Sequence, residues 1–218
     1  MSESHLLPDG QILRYTFRER CIHWVAGASY LYLLLTGLAF WSPWLFWITL
    51  IFGGATVSRE LHPWAGLLWA ISVLMMYRMW GSEMRESPGD KAWWGGIRHY
   101  IRNEDDEMPS VARFNPGQKL LFWGFLWCGV VMLLSGLILW FPHWIPWSLR
   151  FLRYGAVIVH PVAALLTIGL FMMHVYMGTA AEPGAFGSMI RGSVSRAWAR
   201  ELHRIWFDQL VGGGSGRK

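Results

Sequence analysis

The chain is short of charge and nearly devoid of cysteine. Of its 218 residues only 15% are charged, against 54% hydrophobic and 16% aromatic, with a mean hydropathy of +0.29. That balance excludes a soluble domain of this length. Cys21 and Cys128 are too few and too far apart for a metal knuckle, and no C-x-x-C-H is present to attach a haem covalently. No small-residue cleavage site follows the first apolar run, which leads instead into the aromatic cluster of Trp41, Pro43 and Trp44. It therefore reads as a retained span and not as a cleaved signal peptide.

What remains is long apolar sequence. Four runs, at about 21–41, 61–80, 120–141 and 154–178, meet the roughly 20-residue length needed to cross a bilayer as a helix. The expected fold is all-α, an integral membrane bundle of four transmembrane helices, I to IV. It occupies residues 1–180, and residues 181–218 form a C-terminal tail that ends in a linker-like GGGSGRK. A shorter run, WLFWITLIFGG at 44–54, ends in a glycine pair and suits an interfacial or re-entrant segment.

The positive charge is one-sided. Three arginines precede helix I, seven Lys or Arg fall in the II–III connection and its edges, and six in the tail, whereas only Arg59, Arg150 and Arg153 stand on the other side. Both termini and the II–III loop are thus expected in the cytoplasm. The formal net charge of +5 reflects topology and anionic lipid, with no call on nucleic acid. Trp41, Trp44 and Trp47 after helix I, and Trp140, Trp144 and Trp147 after helix III, mark the outer interface.

Within this frame four histidines fall at two depths. The stretch VHPVAALLTIGLFMMHVY (159–176) holds His160 and His174 without a single charge. Fourteen residues of helix give roughly 21 Å of rise and a rotation about 40° short of four turns, so both imidazoles face nearly the same side. Helix IV runs inward, which makes His160 the outer and His174 the inner of the two. His23 lies near the inner end of helix I and His62 near the outer end of helix II. Two histidines facing each other at one level supply the axial ligands of a six-coordinate haem iron, and two such levels ask for two stacked haems. Intramembrane ionisable residues are costly and usually functional. His5, His99, His143 and His203 lie in loops or the tail and read as ordinary hydrogen-bonding residues. Gly37, Gly66, Gly124, Gly129, Gly136 and Gly169 would let helices or a flat macrocycle approach closely. A cofactor-free transporter with a histidine proton relay fits less well, because the span centres are apolar throughout.

The ordered segments RYTFRERCIHW (14–24), RELHPWAG (59–66), RFNPGQKLLFW (113–123), HPVAALLTIGLFMMHVY (160–176) and GSVSRAWARELH (192–203) resemble the cytochrome b (gamma) subunit of membrane-bound respiratory formate dehydrogenases. The resemblance implies a bacterial inner-membrane subunit holding two b-type haems, the outer ligated by His62 and His160 and the inner by His23 and His174. It further implies an iron–sulfur (beta) subunit that brings electrons from a periplasmic molybdenum or tungsten bis-pterin (alpha) subunit where formate is oxidised. Quinone is then reduced beside the inner haem, with Asn115, Gly117 and His174 at its site. The chain has Pro116 between Asn115 and Gly117, and FNPGQK also reads as a turn and helix start. The alternative is the cytochrome b subunit of a nickel–iron hydrogenase or of a related quinone-reducing respiratory complex.

Overall fold

A computed structural model describes residues 5–102, 104 and 108–212. Most of the linker-like GGGSGRK terminus lies outside them. Four helices of 25 or 26 residues dominate: α1 (Phe17–Trp41), α2 (Ala55–Trp80), α5 (Pro116–Trp140) and α6 (Phe151–Tyr176). Short helices α3 (Asp90–Gly95) and α4 (Ile97–Ile101) lie between α2 and α5, and α7 (Ala185–Arg191), α8 (Arg196–Leu202) and α9 (Arg204–Gly212) follow α6. Strands β1 (Ile12–Leu13) and β2 (Ser193–Val194) pair antiparallel.

Among the described residues, three helices are long and apolar enough to cross a membrane: α1, α5 and α6 with its π-helical extension to Ala181. Helix α2 is as long but begins with the polar turns around Arg59, Glu60 and His62, which lower its hydropathy. Each long helix starts three to six residues before its apolar run, because the first turn of a span lies among polar groups and hydropathy does not register it. The start of α2 follows Gly53 and Gly54, both with positive φ, which end a 3₁₀ segment over Pro43–Phe52. That segment occupies the short apolar run.

The chain falls into two compact units. One, Cys21–Arg78 with Trp123–Phe171, holds the bulk of the four long helices. Its centre is Ala26, Tyr30, Trp69 and Val73, packed by Phe125, Met132 and Phe171. The Tyr30 hydroxyl donates to the Thr167 carbonyl at 3.0 Å and so ties α1 to α6. Ser29 and Ser72 donate to carbonyls one turn back, at 2.8 Å each, leaving few polar groups for the hydrocarbon to meet. Outward-facing Leu31, Leu35, Val130, Leu134, Ile158 and Leu166 are exposed, as a lipid-facing surface requires.

The second unit gathers residues before Cys21, the stretch Met79–Phe122, and the chain from Met172 onward. The tail is no loose extension. Ile12, Val194, Ala199 and Trp206 form a buried cluster that joins the N-terminal strand to the C-terminal helices. Arg14, 1% exposed, lies over the Trp198 ring at 4.6 Å and donates to the Arg113 carbonyl at 3.0 Å. Arg113 in turn binds Glu19 and Glu83, each at 2.9 Å. Burial acts to lower the Arg113 pKa, but these carboxylates outweigh it and hold the guanidinium charged. Lys119 pairs with Asp90 at 2.7 Å.

Candidate functional site

His62 and His160 line one cavity of about 650 Å³ in the helical unit, whose lining residues come from α1, α2, α5 and α6. Its walls are mostly aliphatic and aromatic, with Leu33, Leu133, Leu165, Trp69 and Trp140 among them. His62 is the eighth residue of α2 and His160 the tenth of α6, so the two stand at comparable distances from their helix starts. Helix α6 does not begin at Trp147. It begins at Phe151, after a separate 3₁₀ turn over Trp147–Leu149. Each histidine precedes a proline that lies inside its helix, Pro63 and Pro161.

Both rings are anchored in the same way. The His62 Nδ1 lies 2.7 Å from the Thr36 hydroxyl of α1, and the His160 Nδ1 lies 3.0 Å from the Ser135 hydroxyl of α5. Each hydroxyl has one proton, and each gives it to the carbonyl one turn back, Thr36 to Tyr32 and Ser135 to Val131, at 2.7 Å in both cases. What each hydroxyl offers its histidine is therefore a lone pair. The imidazoles must donate through Nδ1–H, which leaves the Nε2 lone pair free for a metal. A metal-ligating histidine needs this second partner to fix its tautomer and orientation.

Small residues stand beside the rings. A Cβ on Gly136 would come within 3.2 Å of His160 Cε1, and one on Gly37 within 3.6 Å of His62 Cε1. Gly129 is tighter still, with Trp69 ring carbons 2.9 and 3.0 Å from where its Cβ would lie. An apolar chamber of this volume, with two histidines whose Nε2 lone pairs are left for a metal, fits a b-type haem: the walls would hold the macrocycle and His62 and His160 would hold its iron.

His23 occupies the second turn of α1 in the helical unit, half-buried, with the Trp24 ring edge-on at 5.4 Å. His174 lies near the end of α6, in the second unit, just before the π-helical turn Met177–Ala181.

Asn115 and Gly117 belong to the second unit. Asn115, 2% exposed, caps α5 through a reciprocal pair with Gln118: the Gln118 N–H donates to Asn115 Oδ1 at 2.9 Å, and the Asn115 N–H to Gln118 Oε1 at 3.2 Å. Its amide nitrogen donates to Glu182, which also accepts from Gln118 Nε2 at 3.0 Å. Pro116 takes the first helical position, where no backbone donor is needed. Gly117 is closely packed, since a Cβ there would lie 2.7 Å from Met177 and 3.3 Å from Trp93. His203 is fully buried; its Nδ1 bonds the Ala112 carbonyl at 2.7 Å and its Nε2 lies 4.0 Å from Glu182. Burial, and then the nearby Arg14 charge, push its pKa well below the ordinary 6.5.

Thr36, Ser135 and Glu182 were not singled out by sequence reasoning. A signal existed for the first two: Thr36-Gly37 and Ser135-Gly136 are hydroxyl–glycine pairs, one on each helix that faces an outer histidine.

The model of the prokaryotic cytochrome b561 family matches residues 14–192. The cytochrome b556(fdo) subunit of formate dehydrogenase from Escherichia coli K12 is 32% identical over 201 residues, which cover 91% of this chain and 93% of that protein. The nitrate-inducible cytochrome b556(Fdn) subunit of the same organism is 28% identical over 200 residues, 91% of each chain. A formate dehydrogenase cytochrome b556 subunit of Haemophilus influenzae is 26% identical over 214 residues, 97% of this chain and 88% of the relative. On the extent of these matches, and with helices built to cross a bilayer, this multi-pass protein of the bacterial inner membrane belongs to the prokaryotic cytochrome b561 family, whose cofactor is b-type haem.

Proposed function

We propose that the chain is the dihaem cytochrome b subunit of a formate dehydrogenase, carrying electrons from a periplasmic iron–sulfur subunit across the membrane to quinone at the cytoplasmic side. The observation that carries this reading is the paired anchoring of His62 and His160, whose Nδ1 atoms are both held by hydroxyls at the wall of one apolar cavity. The names of relatives 26–32% identical over most of the chain support formate as the electron source. Bound haem supplies reversible one-electron chemistry.

The residues divide the work by depth. His62 and His160 hold the outer group, and His23 and His174 the inner one, on a bundle of four spans that includes α2 and has both termini in the cytoplasm. Fourteen residues of α6 separate the two levels, roughly 21 Å along the helix. Apolar side chains between them exclude water and keep protons off the electron path. Asn115, Gly117 and His174 form the proposed quinone site, where the Asn115 amide is held by Gln118 and Glu182. The proposed partners are an iron–sulfur beta subunit and an alpha subunit with molybdenum or tungsten bound by pterins.

The test is the electron donor. Membranes containing the intact complex are given formate or hydrogen while the b-type absorbance is followed. Formate should reduce it and hydrogen should not. Reduction by hydrogen alone would assign the chain to a hydrogenase instead.

A further inference from the structure

The cavity that holds His62 and His160 has one charged residue in its lining among the described residues, Arg59. Arg59 lies three residues before His62 on α2, about 4.5 Å along the helix axis and 60° around it. It is exposed, and no carboxylate pairs with it among the described residues. The same cavity is lined by apolar and aromatic residues, Phe40, Trp41 and Trp140 among them. An unpaired cation at the rim of an otherwise uncharged chamber asks what anion it serves.

A b-type haem carries two carboxylates on one edge of an otherwise apolar ring. An isolated carboxylate in apolar surroundings is expensive, and it is kept ionised by a paired cation and hydrogen-bond donors. Arginine matches that need: it stays charged at any working pH and its forked donors fit a carboxylate with two parallel hydrogen bonds. We propose that Arg59 binds a carboxylate of the haem seated between His62 and His160, which orients the carboxylate edge of that ring toward the start of α2. This inference rests on the haem reading of the cavity and deepens it by assigning the ring its orientation.

A consequence can be measured without enzyme turnover. Reduction lowers the positive charge at the iron, so a fixed cation nearby favours the reduced form and raises the midpoint potential. Redox titration of the purified complex, followed by optical absorbance, should show one of two haem components shifted to a lower potential in Arg59→Gln and the other unchanged. Arg59→Lys, which retains the charge, should restore most of the shift. Loss of one haem in Arg59→Gln with retention in Arg59→Lys would support the same contact. Unchanged potentials with full haem content in Arg59→Gln would overturn it, as would equal loss in both variants, and Arg59 would then be an interfacial anchor. The haem reading of the cavity fails separately: a His62→Ala, His160→Ala double variant that keeps both components would refute it whatever Arg59 does.

Discussion

The Thr36 hydroxyl receives the Nδ1–H of His62 at 2.7 Å while giving its own proton to the Tyr32 carbonyl at the same distance. Ser135 repeats the arrangement for His160. Removing such a second partner typically weakens metal binding or activity by about 10–100-fold. Thr36→Val and Ser135→Ala should therefore both loosen the same haem, the outer one proposed for His62 and His160, and leave the inner one bound, and Thr36→Ser should behave as the parent. Haem content per chain, measured after dilution into detergent, checks this. Equal retention in all three variants would show the hydroxyls to be helix back-bonders only.

Glycines in the same helices should respond unequally. Gly129→Ala would drive a methyl against the Trp69 ring, where the nearest carbon is 2.9 Å away, whereas Gly27 has nothing within 4 Å of a new Cβ. Overpacking of a tight site costs about 1–3 kcal/mol. In an open helical position alanine is favoured over glycine by roughly 0.5–1 kcal/mol. Thermal unfolding in detergent should thus show Gly129→Ala below the parent and Gly27→Ala at or above it.

Asn115 holds α5 and Glu182 with a single amide, so Asn115→Ala removes a helix cap and leaves a buried carboxylate with one donor fewer. A lost cap costs about 0.5–2 kcal/mol and an unmet buried polar group about 1–3 kcal/mol. The expected destabilisation lies in that range and should appear as protease sensitivity between α2 and α5 before the helical unit unfolds. An Asn115→Ala variant as resistant as the parent would place the role of Asn115 with the quinone alone.

How much of this was written in the sequence depends on the kind of residue. The long apolar runs and the shorter apolar run before the Gly53–Gly54 pair were legible because hydropathy is a local property. Helix starts at Phe17, Ala55, Pro116 and Phe151 were not, since the polar first turns carry no apolar signal. The folding of the tail onto β1 escaped as well: two-residue strands leave no periodicity, and Arg14 between aromatic rings looks like any cytoplasmic arginine until Trp198 and Trp206 are beside it. His203 read as an ordinary tail histidine, and it does hydrogen-bond a neighbour, but its complete burial depends on Ala112, a residue 91 positions away.

That burial makes stability pH-dependent. In the folded chain His203 is kept neutral by burial, by Arg14 and by Arg113, against the pull of its bond to Ala112, while Glu182 stands 4.0 Å away. Its folded pKa lies below the ordinary 6.5, so the unfolded chain takes up a proton that the folded chain does not. The contribution is complete above about pH 6.5 and is lost progressively as pH falls toward the folded pKa. Unfolding temperatures measured from pH 8 to pH 5 should fall at the acid end, and His203→Gln should flatten that slope while lowering stability at pH 8. A slope unchanged in His203→Gln would assign it to other groups.

The most direct measurement is a dithionite-reduced minus oxidised spectrum, with extracted haem quantified, on the parent complex and on His160→Ala and His174→Ala. The parent should hold two acid-extractable haems per chain, and each variant should lose or alter a different b-type component, since the two histidines serve different levels of the bundle. Two unaltered components in His160→Ala, or a parent with no extractable haem, would contradict the assignment of the His62–His160 cavity as a haem site.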